Sequence, residues 1–527
     1  MIYLDYAATT PLDPAVRAAM LPWLDEVSGF GNPASDHLPG RRARAAVEAA
    51  RAQVAQLIGA QAEEIVWTSG ATESNNLAIK GALEFRGAAG AHIVTSRIEH
   101  KSVLDTCRHL ESKGVRVGWL GPDRDGRITA EQVLAALRPE TVLVSLMWVN
   151  NETGTINPVV ELAPQLRERG ILFHVDAVQA AGKLPVNMAD VPIDLLSLTA
   201  HKFYGPKGIG ALFVRKRPRA RLAPQMHGGG HEQGMRSGTL ATHQIVGMGA
   251  AAALAGERLA DERPSGDGAR IAVLRDRLWQ ALGGLPDVLR NGDATRTVPH
   301  ILNLSFAGVE GESLRARLPG LAISSGSACS AATREPSYVL RALGRDDELA
   351  GASLRFSLGR NTTAAEVDAA AAQMIEAVEF LRALSRGDSA CIESPRHGRR
   401  SAVQDIGDVY PLSVWARFSN PAHGGCLQGA AVRVARATTP ASRAEMELSL
   451  KPGAPLEARF RAYGCPYTLA VGEWLAEVLE RDGLPVLRRI DAAAIRSALE
   501  IPEERAHCAL MGEDVVHSLL SQIESTS

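Results

Sequence analysis

Lys202 closes the apolar run DLLSLTAHK (194–202), stands beside His201 and precedes the Gly/Pro-rich turn FYGPKGIG. Taken alone it is an exposed loop lysine, but its company argues otherwise. Asp176 ends the buried-looking run ILFHVD. A carboxylate at the end of an interior strand is costly without a cationic partner, and a protonated pyridine nitrogen is one. Gly70, Ala71 and Thr72 in TSGATESNN follow a strand and open a helix. Backbone N–H groups and a hydroxyl at a helix start suit a phosphate. A Schiff-base lysine, a pyridinium carboxylate and a phosphate cup together specify pyridoxal phosphate.

Sulfur chemistry is the second signal. Cys329 lies in SSGSACSAATREP, among small and polar neighbours. A cysteine nucleophile acts as thiolate and needs access more than packing, and a Gly/Ser/Ala-rich loop can carry it between sites. Alone it would read as an inert surface cysteine. Beside the cofactor set it reads as a nucleophile. Three further cysteines, Cys426, Cys465 and Cys508, lie 39 and 43 residues apart, a spacing that resembles no zinc finger. The plain alternative is three small apolar core residues. Their local sequences, Gly424-Gly425-Cys426, Tyr463-Gly464-Cys465-Pro466 and His507-Cys508, place each thiol at a turn or helix start, where thiolate is favoured.

These residues need elements to position them. Short β-rich runs at 65–70, 92–97, 141–152, 171–179 and 194–202 end in polar residues and alternate with helical segments such as 40–59. That pattern predicts a mainly parallel sheet covered by helices, with ligands beyond the carboxyl ends of its strands. Residues 254–292 read as helical, and 301–308 and 353–359 as strands of a smaller α+β subdomain with Cys329 between them. Composition changes at Arg386. Residues 386–405, which include Cys391, read as a linker, and Cys391 carries no expected role. Residues 1–385 form the first unit and 406–527 a second, with strands at 430–437 and 444–451 and helices at 469–480 and 513–524.

The chain has 527 residues and a net charge of -2, with 46% hydrophobic and 22% charged residues. This gives no reason to expect nucleic acid or an anionic membrane as partner. MIYLDYAATTPLDP has no basic start and no apolar run, so no signal peptide is expected. No stretch approaches the roughly 18 apolar residues of a membrane span. Six cysteines without a CxxC pair are no disulfide framework. The reading is a cytoplasmic, reduced protein.

The motifs YLDYAATTPLDP, FGNPASDHLPGRRA, TSGATESNNLAIKG, VNNETGTI, HVDAVQAAGK, AHKFYGPKGIGALFVR, QMHGGGHEQGMRSGT and SSGSACSAATREPSYVLRALG resemble, in the same order, cysteine desulfurases of the class V aminotransferase group. The likeness is greatest to those that feed iron–sulfur cluster assembly. It implies the fold type I of pyridoxal phosphate-dependent transferases: an α/β architecture with a large, mainly parallel sheet domain and a small α+β subdomain. By the resemblance, Lys202 carries the cofactor, Asp176 pairs with the pyridine nitrogen and Gln179 bonds the ring oxygen. Asn151 helps fix ring and substrate, and His100 stacks on the ring and assists proton transfer. Ala71, Thr72, Thr199 and His201 hold the phosphate. Thr239 reaches the phosphate of a neighbouring subunit, implying a homodimer. Arg355 clamps the carboxylate of the substrate L-cysteine, assisted by Asn32, and guanidinium–carboxylate pairing orients it. Cys329 takes the substrate sulfur as a persulfide, leaving L-alanine.

RAYGCPYTLAVGEWLAEVLE, RAHCALMGEDVVHSLL and ARFSNPAHGG resemble IscU-type iron–sulfur scaffolds, which implies a small α+β scaffold-like domain. Cys426, Cys465, Cys508 and His507 could then hold a [2Fe–2S] cluster or zinc. Two departures stand out. Gln428 occupies the family's usual aspartate position, and the segment between Asn420-Pro421 and Cys426 is short. The stretch Ile501-Pro502-Glu503-Glu504-Arg505 stands where the family carries an LPPVK-like chaperone-recognition stretch, with different charges. The combined expectation is a desulfurase fused to a scaffold-like domain, with persulfide sulfur passing to that domain or to other acceptor proteins. The competing readings are a selenocysteine lyase or another β-eliminating enzyme of the group, and a C-terminal unit that is a non-catalytic acceptor-binding module.

Overall fold

The computed structural model describes all residues except 26–28, 88–89, 262, 264, 326–334, 389–408, 440–442 and 526–527. Cys329 and Cys391 therefore lie outside the described residues, as does most of the expected linker.

Seven strands form the central sheet: β1 (Ile65–Thr68), β2 (His92–Ser96), β3 (Arg116–Leu120), β4 (Thr141–Met147), β5 (Leu172–Asp176), β6 (Leu195–Thr199) and β7 (Gly210–Val214). Their order is β1-β7-β6-β5-β4-β2-β3. β7 is antiparallel to both neighbours, and every other pair is parallel. β5 and β6 are buried along their whole length, as continuous apolar runs in a doubly covered sheet should be. Helices α1 (Leu38–Leu57), α2 (Ala71–Arg86), α3 (Lys101–Glu111) and α4 (Thr242–Leu259) cover it. Two apolar clusters result, one centred on Phe173, Val175 and Leu198, the other on Leu143, Leu195 and Leu212.

The expected single helical stretch 254–292 is instead the end of α4, then α5 (Asp267–Leu282), then strand β8 (Val288–Asn291). Gly283 caps α5, and Gly284 and Pro286 follow, a sequence that cannot continue a helix. β8 joins β9 (Ile301–Phe306) and β10 (Ser353–Ser357) in an antiparallel sheet. Helices α6 (Gly311–Ala316) and α7 (Ala364–Arg386) accompany it.

The C-terminal part begins, among the described residues, with α8 (Leu412–Ser419). It continues with the antiparallel sheet β11 (Arg433–Thr439), β12 (Ala444–Lys451) and β13 (Glu457–Tyr463). Long helices α9 (Pro466–Asp482) and α10 (Ala506–Glu524) lie against it. β13, in EARFRAY, alternates half-buried and buried residues, the period of a strand with one face on the core. One apolar cluster runs from Leu304, Phe356 and Met374 through to Phe460, Leu448 and Val516. The small subdomain and the C-terminal part therefore share a core. At their seam Ser313 donates to the Gly464 carbonyl at 2.7 Å, Tyr410 donates to Glu312 at 2.9 Å and Tyr463 to Glu348 at 2.8 Å. Arg505 pairs with Glu312, and Arg317 Nη1 donates to the Ser419 carbonyl at 3.3 Å.

Candidate active site and thiol site

The carboxyl ends of five strands meet at one edge of the sheet. β1 leads through Gly70 into α2, β2 into Glu99 and His100, β4 into Asn150–Glu152, β5 ends at Asp176, and β6 runs into Thr199–Lys202. The N-terminal segment Asp5–Thr10 crosses in front of them. Lys202 Nζ donates to the carbonyls of Ala7 and Ala8, at 2.7 Å each. The Ala7 carbonyl also accepts from Gln179 Nε2 at 2.9 Å, and Gln179 Oε1 accepts from Lys183 Nζ at 2.9 Å. Burial, then the charges of Lys202 and Arg355, push the Lys183 ammonium well below the ordinary lysine range.

Asp176 is 6% exposed. Its carboxylate accepts from Asn75 Nδ2 at 2.8 Å and from the Val178 amide at 3.0 Å. Asn75 Nδ2 also donates to Ser102 Oγ at 2.9 Å, and Ser102 Oγ lies 2.8 Å from His100 Nδ1. Nδ1 accepts the Ser102 amide at 3.2 Å, so it carries no proton and the Ser102 hydroxyl, while accepting from Asn75, donates to it. These bonds assign the proton of a neutral His100 ring to Nε2. A cleft of about 440 Å³ is lined by Thr72, Asn76, Lys80, His100, Ser102 and Asp105. Beside it Glu99 is fully buried. Burial holds its carboxyl up at about 8, against a hydrogen bond from Ser96.

His201 sits 3.2 Å from Thr9 Oγ1. Burial, then the neighbouring Lys202 charge, lower it to about 4, so the ring is neutral. Thr199 donates its hydroxyl to the Ile209 carbonyl at 3.0 Å. Arg355, 2% exposed, gives Nη1 to the Asn151 carbonyl at 2.7 Å and Nη2 to Asp5 at 2.9 Å. Ser324, just before the segment bearing Cys329, bridges Arg355. On the far side of that segment Tyr338 donates to the Glu99 carbonyl at 2.7 Å. The flanks of the Cys329 segment are thus anchored at this site.

The residues fit pyridoxal phosphate. Among the described residues no ion pair reaches Asp176, so its buried carboxylate lacks the cation that a protonated pyridine supplies. Asn151 Oδ1 and Arg355 Nε are buried without hydrogen-bond partners among the described residues. The N-terminus of α2 carries no side-chain cap, and the space beside the Gly70 Cα is open, leaving first-turn amides for a phosphate. Two further expected residues lie at the surface. Asn32 is exposed at a turn and caps the Ala34 amide at 2.9 Å, with no described contact to Arg355. Thr239 is exposed. Sequence reasoning missed Asn75, Ser102, Lys183, Asp5 and the Ala7 carbonyl. Asn75 lies inside the quoted TSGATESNN, and its position one helical turn beyond Ala71 was the available signal.

In the C-terminal part the expected ligands are not brought together as one set. Cys465 caps α9 and Cys508 lies in the first turn of α10. Their sulfurs are 3.6 Å apart, with the Thr468 hydroxyl 3.6 Å from one and 3.5 Å from the other. His507 Nε2 is 3.4 Å from the Cys508 sulfur. The thiol bond from Cys508 pulls Cys465 down to about 7 against its burial, with Arg505 helping. The same bond and burial push Cys508 up. Cys426 stands apart. Its sulfur is 3.7 Å from Glu447, which Arg436 and Arg461 hold. It packs on Gly387, where a Cβ would come within 2.2 Å of it. Among the described residues no group of three or more His, Cys, Asp or Glu is disposed to hold a metal ion. Of Cys426, Cys465, Cys508 and His507, the structure brings the last three into contact and holds Cys426 apart from them. Gln428 is exposed. Arg505, in the stretch 501–505, is turned into the seam towards Glu312. Cys107 is fully buried, and burial raises its thiol to about 12.

Residues 2–370 match the family Aminotransferase class-V, and residues 409–526 match the NifU-like N terminal domain. The chain is 57% identical over 385 residues to cysteine desulfurase IscS of Pseudomonas aeruginosa (strain LESB58), covering 73% of this chain and 94% of that protein. It is 58% identical over the same span to cysteine desulfurase IscS of Azotobacter vinelandii. Among solved structures, a NifS-like protein aligns with a TM-score of 0.66 at 34% identity, covering 72% of this chain and 99% of its own. SspA in complex with cysteine aligns at 0.61 and 39%, covering 69% and 100%.

Proposed function

The chain belongs to the class-V aminotransferase family, and from that premise we propose a cysteine desulfurase that delivers its sulfur to its own C-terminal domain. The first step converts L-cysteine to L-alanine and leaves a persulfide on Cys329. When bound, pyridoxal phosphate supplies an electron sink for bonds at the carbon bearing the substrate amine. Asp176 keeps the ring nitrogen charged, and Asn75 orients that carboxylate. The α2 terminus at Ala71 and Thr72, with neutral His201, holds the phosphate. Thr199 would join them by turning its hydroxyl from Ile209. Arg355 Nε meets the substrate carboxylate, and Asn151 Oδ1 accepts from the bound pair. Lys202 Nζ, displaced from its two carbonyls, takes the α-proton. His100 offers its Nε2 proton. The thiolate of Cys329 takes the sulfur.

The chain is read as a cytoplasmic homodimer whose exposed Thr239 serves the partner's phosphate. No described helix is long and apolar enough to cross a membrane.

The observation that carries internal delivery is the position of Cys465. It follows Gly464, whose carbonyl is gripped by Ser313 of the desulfurase part. The acceptor thiol is thus held at the seam, and tethering raises its effective concentration. The iron–sulfur cluster is the cargo that such a domain would build from this sulfur. The test is an anaerobic turnover of the cofactor-loaded full chain with limiting ³⁵S-cysteine, followed by peptide mapping. Label leaves Cys329 in the wild type and stays there in Cys465→Ser. Label confined to Cys329 in both proteins overturns internal delivery.

A further inference from the structure

We propose that Cys465 and Cys508 act as a dithiol that reduces delivered sulfane sulfur to sulfide, closing a disulfide as they do so. This rests on delivery of sulfur to Cys465. The two sulfurs are 3.6 Å apart, about 1.5 Å longer than a disulfide bond. Both lie at helix starts that converge on one point, Cys465 capping α9 and Cys508 in the first turn of α10. The Thr468 hydroxyl bridges them. The pair is closed from solvent, Cys465 being 7% and Cys508 0% exposed. Cys426, bonded to Glu447 and packed on Gly387, has no contact with it. The arrangement is that of a resolving pair rather than of three equivalent thiols.

The step balances without an added oxidant. Cys465 carries the delivered sulfur as Cys465–S–SH. His507 Nε2, 3.4 Å from Cys508 Sγ, takes the Cys508 proton. The Cys508 sulfur attacks the sulfur bonded to the Cys465 carbon, forming the Cys465–Cys508 bond. The outer S–S bond breaks, and hydrosulfide leaves with its electron pair. Counted from two thiols and one sulfane sulfur, the thiols lose two electrons and the sulfane sulfur gains them. Exchange at a persulfide follows the rules of thiol–disulfide exchange: the attacker must be close and the leaving group acidic. Hydrosulfide is the better leaving group of the two available. A low-molecular-weight dithiol returns the pair to its reduced state.

Two arms separate this step from the delivery it follows. In the first, the cofactor-loaded full chain turns over limiting L-cysteine anaerobically with no other thiol present. Peptide mass spectrometry then finds the Cys465–Cys508 disulfide, with about one sulfide released per disulfide. Cys508→Ser instead holds a persulfide on Cys465 and releases little sulfide. In the second, Cys329→Ser is treated with limiting inorganic polysulfide, which bypasses delivery. The same disulfide forms when Cys508 is present, and Cys465 persulfide accumulates in the Cys329→Ser/Cys508→Ser protein. A persistent Cys465 persulfide beside free Cys508 overturns the proposal in either arm. So does polysulfide treatment that leaves both thiols reduced and free of persulfide. Persulfide stranded on Cys329 in the first arm, with the disulfide formed in the second, contradicts delivery and supports the dithiol.

Discussion

At the sheet edge, Lys202 and Gln179 share the Ala7 carbonyl, and Asp176 is tied to His100 through Asn75 and Ser102. In the C-terminal domain, Cys465 and Cys508 touch while Cys426 is held elsewhere against Gly387. The first site is set on strand ends of one rigid sheet, whose registers leave its side chains little freedom. The second is set on two helix starts and one loop, so part of it can assemble while part waits. A site that must stabilise charge gains when its dipoles are already in place. A site that must receive and release cargo has reason to be built in separable pieces.

The largest expected effect comes from breaking the organised site at its nucleophile. Lys202→Ala lowers alanine formation by about 10³-fold or more, while the Cys465–Cys508 contact remains and the thiols alkylate as in the wild type. Alanine formation at the wild-type rate contradicts the role of Lys202 as cofactor carrier and base.

Next is the connection between Asp176 and His100. Asn75→Ala removes a bond to a buried carboxylate, and such charge-assisted bonds contribute about 1.5–3 kcal/mol, so kcat falls about 10- to 100-fold. A change in KM alone, with kcat intact, would show that Asn75 only supports the fold.

Gly387→Ala sharpens the contrast from the other side. Gly387 has φ +80°, and its Cβ would meet the Cys426 sulfur at 2.2 Å. The expected cost is about 1–2 kcal/mol, together with faster alkylation of Cys426 but not of Cys465. Equal acceleration at both cysteines would mean that the three thiols move as one set.

The smallest effect is in pH dependence, where the two regions take opposite signs. Burial lowers His174 to about 3 and His201 to about 4. Each has a folded value below its unfolded one, so each contributes stability above about pH 6.5 that is lost as pH falls towards the folded value. His423 is raised, first by its hydrogen bond to Glu473 and then by the charges of Glu473 and Glu480, against its burial. Its contribution is complete below about pH 6.5 and is lost as pH rises through the raised value. It amounts to about 1 kcal/mol. Hydrogen exchange from pH 5 to 8 should show β5 and β6 opening more readily in acid and the 420–426 loop opening more readily in alkali. His423→Asn should abolish the second trend.

Much of the catalytic half was legible because its residues fall at strand ends, where a polar residue after an apolar run stands out. Asp176, Lys202 and the Ala71–Thr72 helix start followed from that rule. Asn75 did not, since an asparagine within a helix carries no mark of what it faces. Lys183 and the Ala7 carbonyl depend on a chain crossing that no local pattern encodes. In the C-terminal half the helix starts at Cys465 and Cys508 could be read. That Cys426 packs on Gly387 could not, because it depends on how two domains share a core. The helical reading of 254–292 failed where Gly283, Gly284 and Pro286 outweighed the surrounding helix formers.

Internal sulfur delivery is tested most directly by trapping it. Cys508→Ser, loaded with pyridoxal phosphate and given limiting ³⁴S-cysteine anaerobically, should carry the heavy sulfur on Cys465, mapped by peptide mass. Heavy sulfur found only on Cys329, with alanine formed in equal amount and Cys465 unlabelled, contradicts internal delivery.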